Sequence, residues 1–323
     1  MNVNIAFVRH GYGCHNALRP MIRNKFLKRT ITMKELEIHS DPELTPLGVD
    51  ASIHNGCVMA RLIRNAWKTN GDRNYKIDNV NLVGCSPLIR SMETAYYMTR
   101  KWKNPPNKIY VLPYLREIDE SSHDKYSPHS RATIDSVPSY RMKTIAEQKE
   151  YLKKKGILNF FDFRFVETNP VGRSEPGDIR TFNKWLAKVL LPKFCLTSNF
   201  NLFIVTHAGV LRDFSGQGHR NNSGFLVNLL IDIDKPNKAP LYNFFFPFDQ
   251  FLPTEFFSSY SNLEYSNLNY FCPSDRCGQL CKYNEKSGNG NGNGNGNGNG
   301  NGNGNGNIKR ITPQCNNDKD NNL

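Results

Sequence analysis

The chain has 323 residues and a formal net charge of +13, a length that accommodates one large α/β domain with appendages or two small domains. Hydrophobic stretches stay shorter than the roughly 18 apolar residues of a membrane-spanning helix, and the first residues lack the basic leader of a signal peptide. Eight cysteines are scattered without the spacing of a disulfide scaffold. We therefore expect reduced thiols, a cytoplasmic location and no membrane partner.

Four short apolar runs rich in β-branched residues predict the strands of one sheet. They cover residues 3–8, 80–85, 109–112 and 202–206. Because the carboxyl ends of parallel strands meet at one edge of an open α/β sheet, and ligands bind at that edge, the polar residues after the runs should share one site. These residues are Arg9-His10, Ser86-Pro87, Arg116-Glu117 and His207.

Helical patterns separate the runs, over residues 46–68, 88–102, 139–155 and 177–191. Pro46 suits the first position of a helix with Thr45 as its N-cap, and we expect Ser86 and Ser174 to cap the second and the last helix. The alternation of strands and helices predicts a three-layer α/β sandwich with a mainly parallel central sheet. Residues 225–231 and 241–246 are predicted to add edge strands to it.

Three segments depart from this pattern and define the expected domain organisation. Residues 17–43 form a basic insertion with six Lys or Arg residues, and residues 118–176 form a polar, cap-like insertion. Both are assigned to a catalytic domain that spans residues 1–285. Residues 286–323 are a low-complexity tail dominated by Gly-Asn alternation, which cannot bury apolar surface and is expected to lack a fixed structure.

Cysteines near the end of the chain raise a metal alternative. Cys272, Cys277 and Cys281, with Cys315 beyond the Gly-Asn repeat, could supply four sulfur ligands to zinc. The segment has no Cys-x-x-Cys pair, and the fourth ligand lies past the repeat. Free thiols are therefore the preferred interpretation, and we expect no metal site.

Five motifs resemble, in the same order, those of the histidine phosphatase superfamily, the phosphoglycerate mutase-like group. The resemblance covers residues 3 to about 232, interrupted by the two insertions. It implies a phosphoglycerate mutase-like fold and a reaction without a metal or an organic cofactor. The motifs are Arg9-His10-Gly11 with Asn16 downstream, Leu44-Thr45-Pro46-Leu47-Gly48, Ser86-Pro87-Leu88-Ile89-Arg90 with Thr94-Ala95, Leu115-Arg116-Glu117, and Thr206-His207-Ala208-Gly209-Val210.

The resemblance implies that His10 is the nucleophile, which accepts the phosphoryl group on a neutral imidazole nitrogen. The other ring nitrogen should donate to a backbone carbonyl and so determine the tautomer. Four further residues are expected to hold the phosphate oxygens, because guanidinium forks and N–H donors match the negative charge there. They are Arg9, Asn16, Arg90 and His207.

The leaving group needs a proton, and Glu117 matches the position of the general acid. The same carboxylate could then deprotonate the water that hydrolyses the phosphohistidine. Asp119 and Glu120 are close enough in sequence to be alternatives.

Three functions are compatible with these motifs: a phosphatase acting on a phosphate monoester through phosphohistidine, a phosphoglycerate mutase-type phosphotransferase, and a non-catalytic phosphate-binding module. The phosphatase is preferred, since the full set of motif residues is present. Tyr12, Gly13 and His15 stand where the mutase branch has Glu, Ser and Trp. The expected partner is a small phosphorylated substrate or a phosphoprotein rather than nucleic acid, and the substrate and the oligomeric state stay open.

Overall fold

The computed structural model describes residues 2–14, 16, 41–69, 80–118, 142–194, 200–215, 225–232 and 241–247. Seven strands of these residues form one sheet in the order β4-β3-β2-β5-β1-β6-β7. Pairing is parallel from β4 to β1, whereas β6 is antiparallel to β1 and β7 to β6. The strands are β1 (Asn2–Arg9), β2 (Leu82–Cys85), β3 (Ile109–Val111), β4 (Phe161–Asp162), β5 (Phe200–Thr206), β6 (Phe225–Asp232) and β7 (Leu241–Pro247).

Helices cover both faces of the sheet, which confirms the expected α/β class with a mainly parallel sheet. The last helix before β5 changes its winding, through a π-helical turn over Leu186–Leu190 and a 3₁₀ turn over Leu191–Phe194. Among the described residues, no helix combines the length and the apolar character needed to cross a bilayer. The helices are α1 (Pro46–Thr69), α2 (Ile89–Thr99), α3 (Ile145–Lys154), α4 (Arg164–Glu167), α5 (Pro170–Ser174), α6 (Ile179–Trp185) and α7 (Ala208–Ser215).

Strand β1 shows how the apolar runs build two cores. Its alternate side chains enter opposite faces, with Ile5 and Phe7 packed in the cluster that contains Phe182 of α6. Ala6 and Val8 belong to the other cluster, which contains Met92 of α2. A strand buried on both faces reads as a continuous apolar run, and each fully buried large side chain contributes about 1.5–3 kcal/mol relative to exposure.

The segment predicted as a cap-like insertion contributes to this sheet. Its described residues, 142–176, include α3, β4, α4 and α5, and β4 pairs with β3 in parallel. Strand β6 lies between β1 and β7, so only β7 of the two predicted edge strands is at the edge. Residues 17–40, 119–141 and 286–323, together with Cys272, Cys277, Cys281 and Cys315, lie outside the described residues.

The predicted helix caps have mixed outcomes. Thr45 is confirmed, because its Oγ1 accepts the N–H of Gly48 at 3.0 Å. The prediction for Ser86 was wrong: α2 begins only at Ile89 after an N-cap without a side-chain bond, and the hydroxyl of Ser86 contacts a histidine instead.

Two further helix starts differ from the sequence-based expectation. Ser174 ends α5 rather than capping the next helix, and Asp178 caps α6 by accepting the N–H of Arg180 at 2.9 Å. Helix α3 begins at Ile145, where Thr144 and Glu147 form a capping box. That four-residue pattern is visible in the sequence and could have located the helix start.

The crossing of α1 and α2 yields a test of the fold. A Cβ at Gly56 would overlap the carbonyl oxygen of Met98, so Gly56→Ala should lower the free energy of unfolding by about 2 kcal/mol through forced backbone displacement. Chemical denaturation measures this change.

An exposed helix position provides the matched control for Gly56. Ala146 lies on the surface of α3, where Ala146→Gly should cost about 0.5–1 kcal/mol because glycine has the lower helix propensity. Alanine is therefore favoured at position 146 and disfavoured at position 56. Stabilisation by Gly56→Ala would contradict the close crossing.

Candidate active site

The pairing of β1 with β5 brings two histidines together. Arg9 is the register partner of Thr206, and the N–H of His10 donates to the carbonyl of Thr206 at 2.8 Å. The next residue on β5 is His207, so the two imidazole rings have centroids 5.1 Å apart. Both rings are buried, at 1% and 0% exposure. The carboxyl edge of the parallel strands therefore carries both predicted histidines.

The ring of His10 is held in one orientation. Its Nδ1 lies 2.7 Å from the carbonyl oxygen of Gly11, which is the predicted contact with a backbone carbonyl. A carbonyl oxygen accepts only, so Nδ1 carries the proton and Nε2 keeps its lone pair. The Nε of Arg90 donates to that Nε2 at 3.4 Å. The guanidinium beside the ring disfavours a second positive charge there and favours neutral imidazole.

Close backbone packing explains the glycine after His10. The N–H of Gly11 donates to Oγ1 of Thr94 on α2 at 2.8 Å. A Cβ at Gly11 would lie 2.6 Å from Oγ of Ser52 on α1. The loop after β1 is thus held between the two helices, and only glycine fits there.

One buried arginine contacts His10, and a second precedes it in the chain. Arg90 is the second residue of α2 and is fully buried, and Arg9 ends β1 with 8% exposure. The amino end of a helix adds a partial positive charge from its backbone N–H groups. A buried pocket with these groups stabilises an oxyanion more strongly than a solvated surface would.

His207 is held by hydroxyl groups that sequence analysis did not assign to it. Its Nε2 lies 2.7 Å from Oγ of Ser86 and 3.2 Å from Oγ of Ser91. The Nδ1 lies on the side of Glu117, 3.9 Å from its Oε2. Ser86 and Ser91 both lie in the stretch of sequence whose motif contains Arg90. Their place in that motif is the sequence feature that could have predicted a role in the site.

Glu117 is anchored through one carboxylate oxygen. Its Oε1 accepts the N–H of Gly209 at 3.0 Å and of Ile118 at 3.1 Å, and Oε2 is the oxygen nearer His207. A Cβ at Gly209 would lie 2.5 Å from Oε1, so this glycine makes room for the acid. The first turn of α7 therefore holds Glu117. Asp119 and Glu120 lie outside the described residues.

Asn16 lies in the loop that follows His10. Its Oδ1 accepts the N–H of Gly13 at 3.0 Å, and its carbonyl accepts the hydroxyl of Tyr12 at 3.2 Å. These contacts tie the residue to the loop, and a contact of its amide with phosphate stays a prediction.

The same groups have the composition of a metal site. Ligand atoms of His10, Glu117 and His207 all lie within 4.8 Å of one another, and zinc accepts such a set. Arg90 lies beside His10, and its charge disfavours a divalent cation while it favours an anion. The charge of the site thus suits a phosphate better than a metal ion.

A buried carboxylate lies one turn beyond Arg90 on α2. Glu93 accepts the N–H of Leu44 at 2.7 Å and the hydroxyl of Tyr151 at 2.6 Å. Burial raises the pKa of Glu93 to about 7; Lys155 opposes the shift and the nearby Glu43 adds to it. The helix that carries Arg90 is therefore bound both to the segment before α1 and to α3.

Known proteins show similarity to this chain in structure rather than in sequence. No protein-family model and no curated protein matches it. Ecdysone phosphate phosphatase from Bombix mori, in complex with tungstate, is 18% identical over 70% of this chain and 88% of its own, with a TM-score of 0.39.

Two further solved structures show similarity of the same kind. A phosphoserine phosphatase variant from Entamoeba histolytica, in complex with phosphoserine, is 15% identical over 78% of this chain and 100% of its own, with a TM-score of 0.34. Phosphoglycerate mutase from Bacillus anthracis is 13% identical over 72% of this chain and 89% of its own, with a TM-score of 0.37. These proteins belong to the histidine phosphatase superfamily, whose motifs this chain resembles.

The pKa of Glu93 predicts how stability depends on pH. Between pH 4.5 and about 7 the unfolded chain has released this proton while the folded protein retains it, so stability should fall as the pH rises through this window. Glu93→Gln removes that slope and should raise the free energy of unfolding at pH 8 by on the order of 2–3 kcal/mol, with little change near pH 4. Denaturation at both pH values measures this.

The control for Glu93→Gln is a glutamate on the surface. Glu175 is exposed, so Glu175→Gln should leave the difference between the two pH values unchanged. An unaltered pH slope in Glu93→Gln would show that another group is responsible.

Proposed function

We propose that the chain is a member of the histidine phosphatase superfamily that hydrolyses a phosphate monoester through a phosphohistidine on His10. One observation carries this proposal: Nδ1 of His10 is hydrogen-bonded to the carbonyl of Gly11, while its Nε2 lies beside the guanidinium of Arg90. A neutral imidazole with its lone pair directed into a cationic pocket is a nucleophile prepared for a phosphoryl group.

In the first step, Nε2 of His10 attacks phosphorus, and the bond between phosphorus and the ester oxygen breaks. Charge on the three equatorial phosphate oxygens is balanced by Arg9, Arg90 and protonated His207. The leaving alkoxide takes its proton from the carboxylic acid of Glu117. Next to a phosphate dianion, the ionised form of that acid is disfavoured, which keeps the proton available.

In the second step, the carboxylate of Glu117 accepts a proton from water. The water oxygen attacks phosphorus, the bond to Nε2 of His10 breaks, and inorganic phosphate leaves. The contacts of Glu117 suit this double role, because Gly209 and Ile118 hold Oε1 while Oε2 lies on the side of His207. No step requires a cofactor.

The substrate class follows from the same groups. A buried pocket with two arginines and two histidines takes a terminal phosphate monoester, carried by a small metabolite or by a phosphoprotein. Water is the proposed acceptor, since Tyr12 and Gly13 replace the residues that the resemblance leads us to expect in a mutase.

The first test concerns the nucleophile. His10→Ala should reduce phosphate release from an aryl phosphate to below about 1% of the parent, because it removes the imidazole that is proposed to form the intermediate. Acid-labile phosphate should be trapped on the parent by rapid quenching and be missing from His10→Ala. His54, a half-buried histidine on α1, supplies the control: His54→Ala should retain turnover. Parent-like activity in His10→Ala would remove the phosphohistidine from the mechanism.

The second test separates phosphatase from mutase and from metal catalysis. The purified protein should release inorganic phosphate from at least one monoester in a panel, with unchanged rate in the presence of a chelator. It should not interconvert 2- and 3-phosphoglycerate above background. Mutase turnover without phosphate release would refute the hydrolase, and loss of activity on chelation would point to a metal at the His10, Glu117 and His207 cluster.

A further inference from the structure

Asp41 is a buried acid that the proposed chemistry does not use. It is fully buried and has a φ of 49°, in the left-handed region that few residues other than glycine, asparagine and aspartate adopt. It lies at the end of the basic insertion, four residues before Thr45 caps α1. A buried carboxylate on a backbone in this conformation needs hydrogen-bond partners.

Both carboxylate oxygens of Asp41 have such partners. Oδ1 accepts the N–H of Ile89, the first residue of α2, at 2.8 Å. Oδ2 accepts Nε2 of Gln148 at 2.7 Å and the N–H of Lys143 at 3.3 Å. Because Leu88 offers no side-chain cap, Asp41 is the side chain that satisfies the amino end of α2, from 48 residues away in sequence. The next residue after Ile89 is Arg90.

Gln148 extends this contact to the motif before α2. Its Nε2 also donates to the carbonyl of Pro87 at 2.7 Å, and its Oε1 accepts from Arg173 at 3.1 Å. Arg173 in turn donates to the carbonyl of Lys143 at 2.5 Å. The peptide from Pro87 to Ile89 is thus held at both ends by a network whose centre is the carboxylate of Asp41.

The charge of Asp41 acts on Arg90 as well. Burial raises the pKa of Asp41, and the attraction of Lys143 and Arg90, with the hydrogen bonds from Gln148 and Ile89, opposes that shift. A fully buried guanidinium is costly without a nearby negative charge. The contact through which Asp41 reaches Arg90 is its hydrogen bond to the N–H of Ile89, the residue before Arg90.

We propose that Asp41 is a positioning residue for Arg90: its carboxylate caps α2 at the N–H of Ile89, so that Arg90, the next residue, is already oriented when phosphate arrives. This proposal rests on the proposed phosphate site. It predicts that the loss of Asp41 weakens phosphate binding through Arg90 and through no other group.

The experiment measures the dissociation constant for inorganic phosphate by calorimetry, and KM and kcat with an aryl phosphate. Asp41→Ala should raise the dissociation constant and KM about tenfold, as expected for the loss of a charged cap beside the site. Asp41→Asn keeps an oxygen for the N–H of Ile89 and should stay within about threefold of the parent. In the Arg90→Lys background, Asp41→Ala should add less than about a twofold effect, because residues that act through one another are not additive.

Asp178→Ala is the matched control, since it also removes the N-cap of a helix, α6, that carries no residue of the site. It should lower the melting temperature and leave phosphate binding unchanged. A purely structural role for Asp41 would give the same result in Asp41→Ala, namely less folded protein with unchanged KM, and would overturn the proposal. Full additivity with Arg90→Lys would overturn it too.

If Asp41→Ala does not fold, Gln148→Ala replaces it, with an expected rise in the dissociation constant of about threefold. An unchanged constant there would overturn the proposal. If the parent protein binds phosphate but releases none from monoesters, the proposed hydrolase is refuted. The binding constants of the variants would then still decide the role of Asp41. If the parent protein binds no phosphate, both the proposed phosphate site and the positioning role of Asp41 are refuted.

Discussion

Backbone hydrogen bonding between β1 and β5 brings together the two histidines of the candidate site. The parallel register sets Arg9 opposite Thr206, and the N–H of His10 continues the pairing to the carbonyl of Thr206. The following residue on β5 is His207, so the two rings become neighbours through the ladder alone. A slip of one residue would turn every side chain of β1 to the opposite face of the sheet and separate the pair. The two apolar cores, which β1 enters with alternate side chains, hold this register.

The buried guanidinium of Arg90 carries the main energetic cost of this arrangement. Arg90 has no exposed surface, and desolvation of a guanidinium costs several kcal/mol unless opposite charge and hydrogen bonds offset it. Asp41 contacts α2 at its first residue, where its carboxylate accepts the N–H of Ile89, the residue before Arg90. The same arrangement stiffens the pocket. Donors and charges that are already oriented stabilise a transferring phosphoryl group without reorganisation during the reaction.

Much of the architecture could be predicted from local sequence. The runs at 3–8 and 202–206 correspond to β1 and β5 within a few residues, because strands buried on both faces are apolar throughout. The prediction that Ser86 caps a helix was wrong because the partner of this residue is distant in sequence. Its hydroxyl satisfies the local rule for a helix start, but a histidine 121 residues away binds it instead, and a local pattern carries no information about that competitor.

The sequence by itself determined the class of the fold and indicated the candidate site residues, because hydrophobic periodicity and motif chemistry depend on neighbours along the chain. Only the tertiary structure decided the partners of those residues: the serines that hold His207, the N–H groups that anchor Glu117, and the acid that caps the helix of Arg90. Apart from the hydrogen bond of Ile118 to the adjacent Glu117, these contacts join groups 48 to 121 residues apart. A hydrogen bond acts over about 3 Å, so its existence depends on how the layers pack, which no stretch of the chain specifies alone.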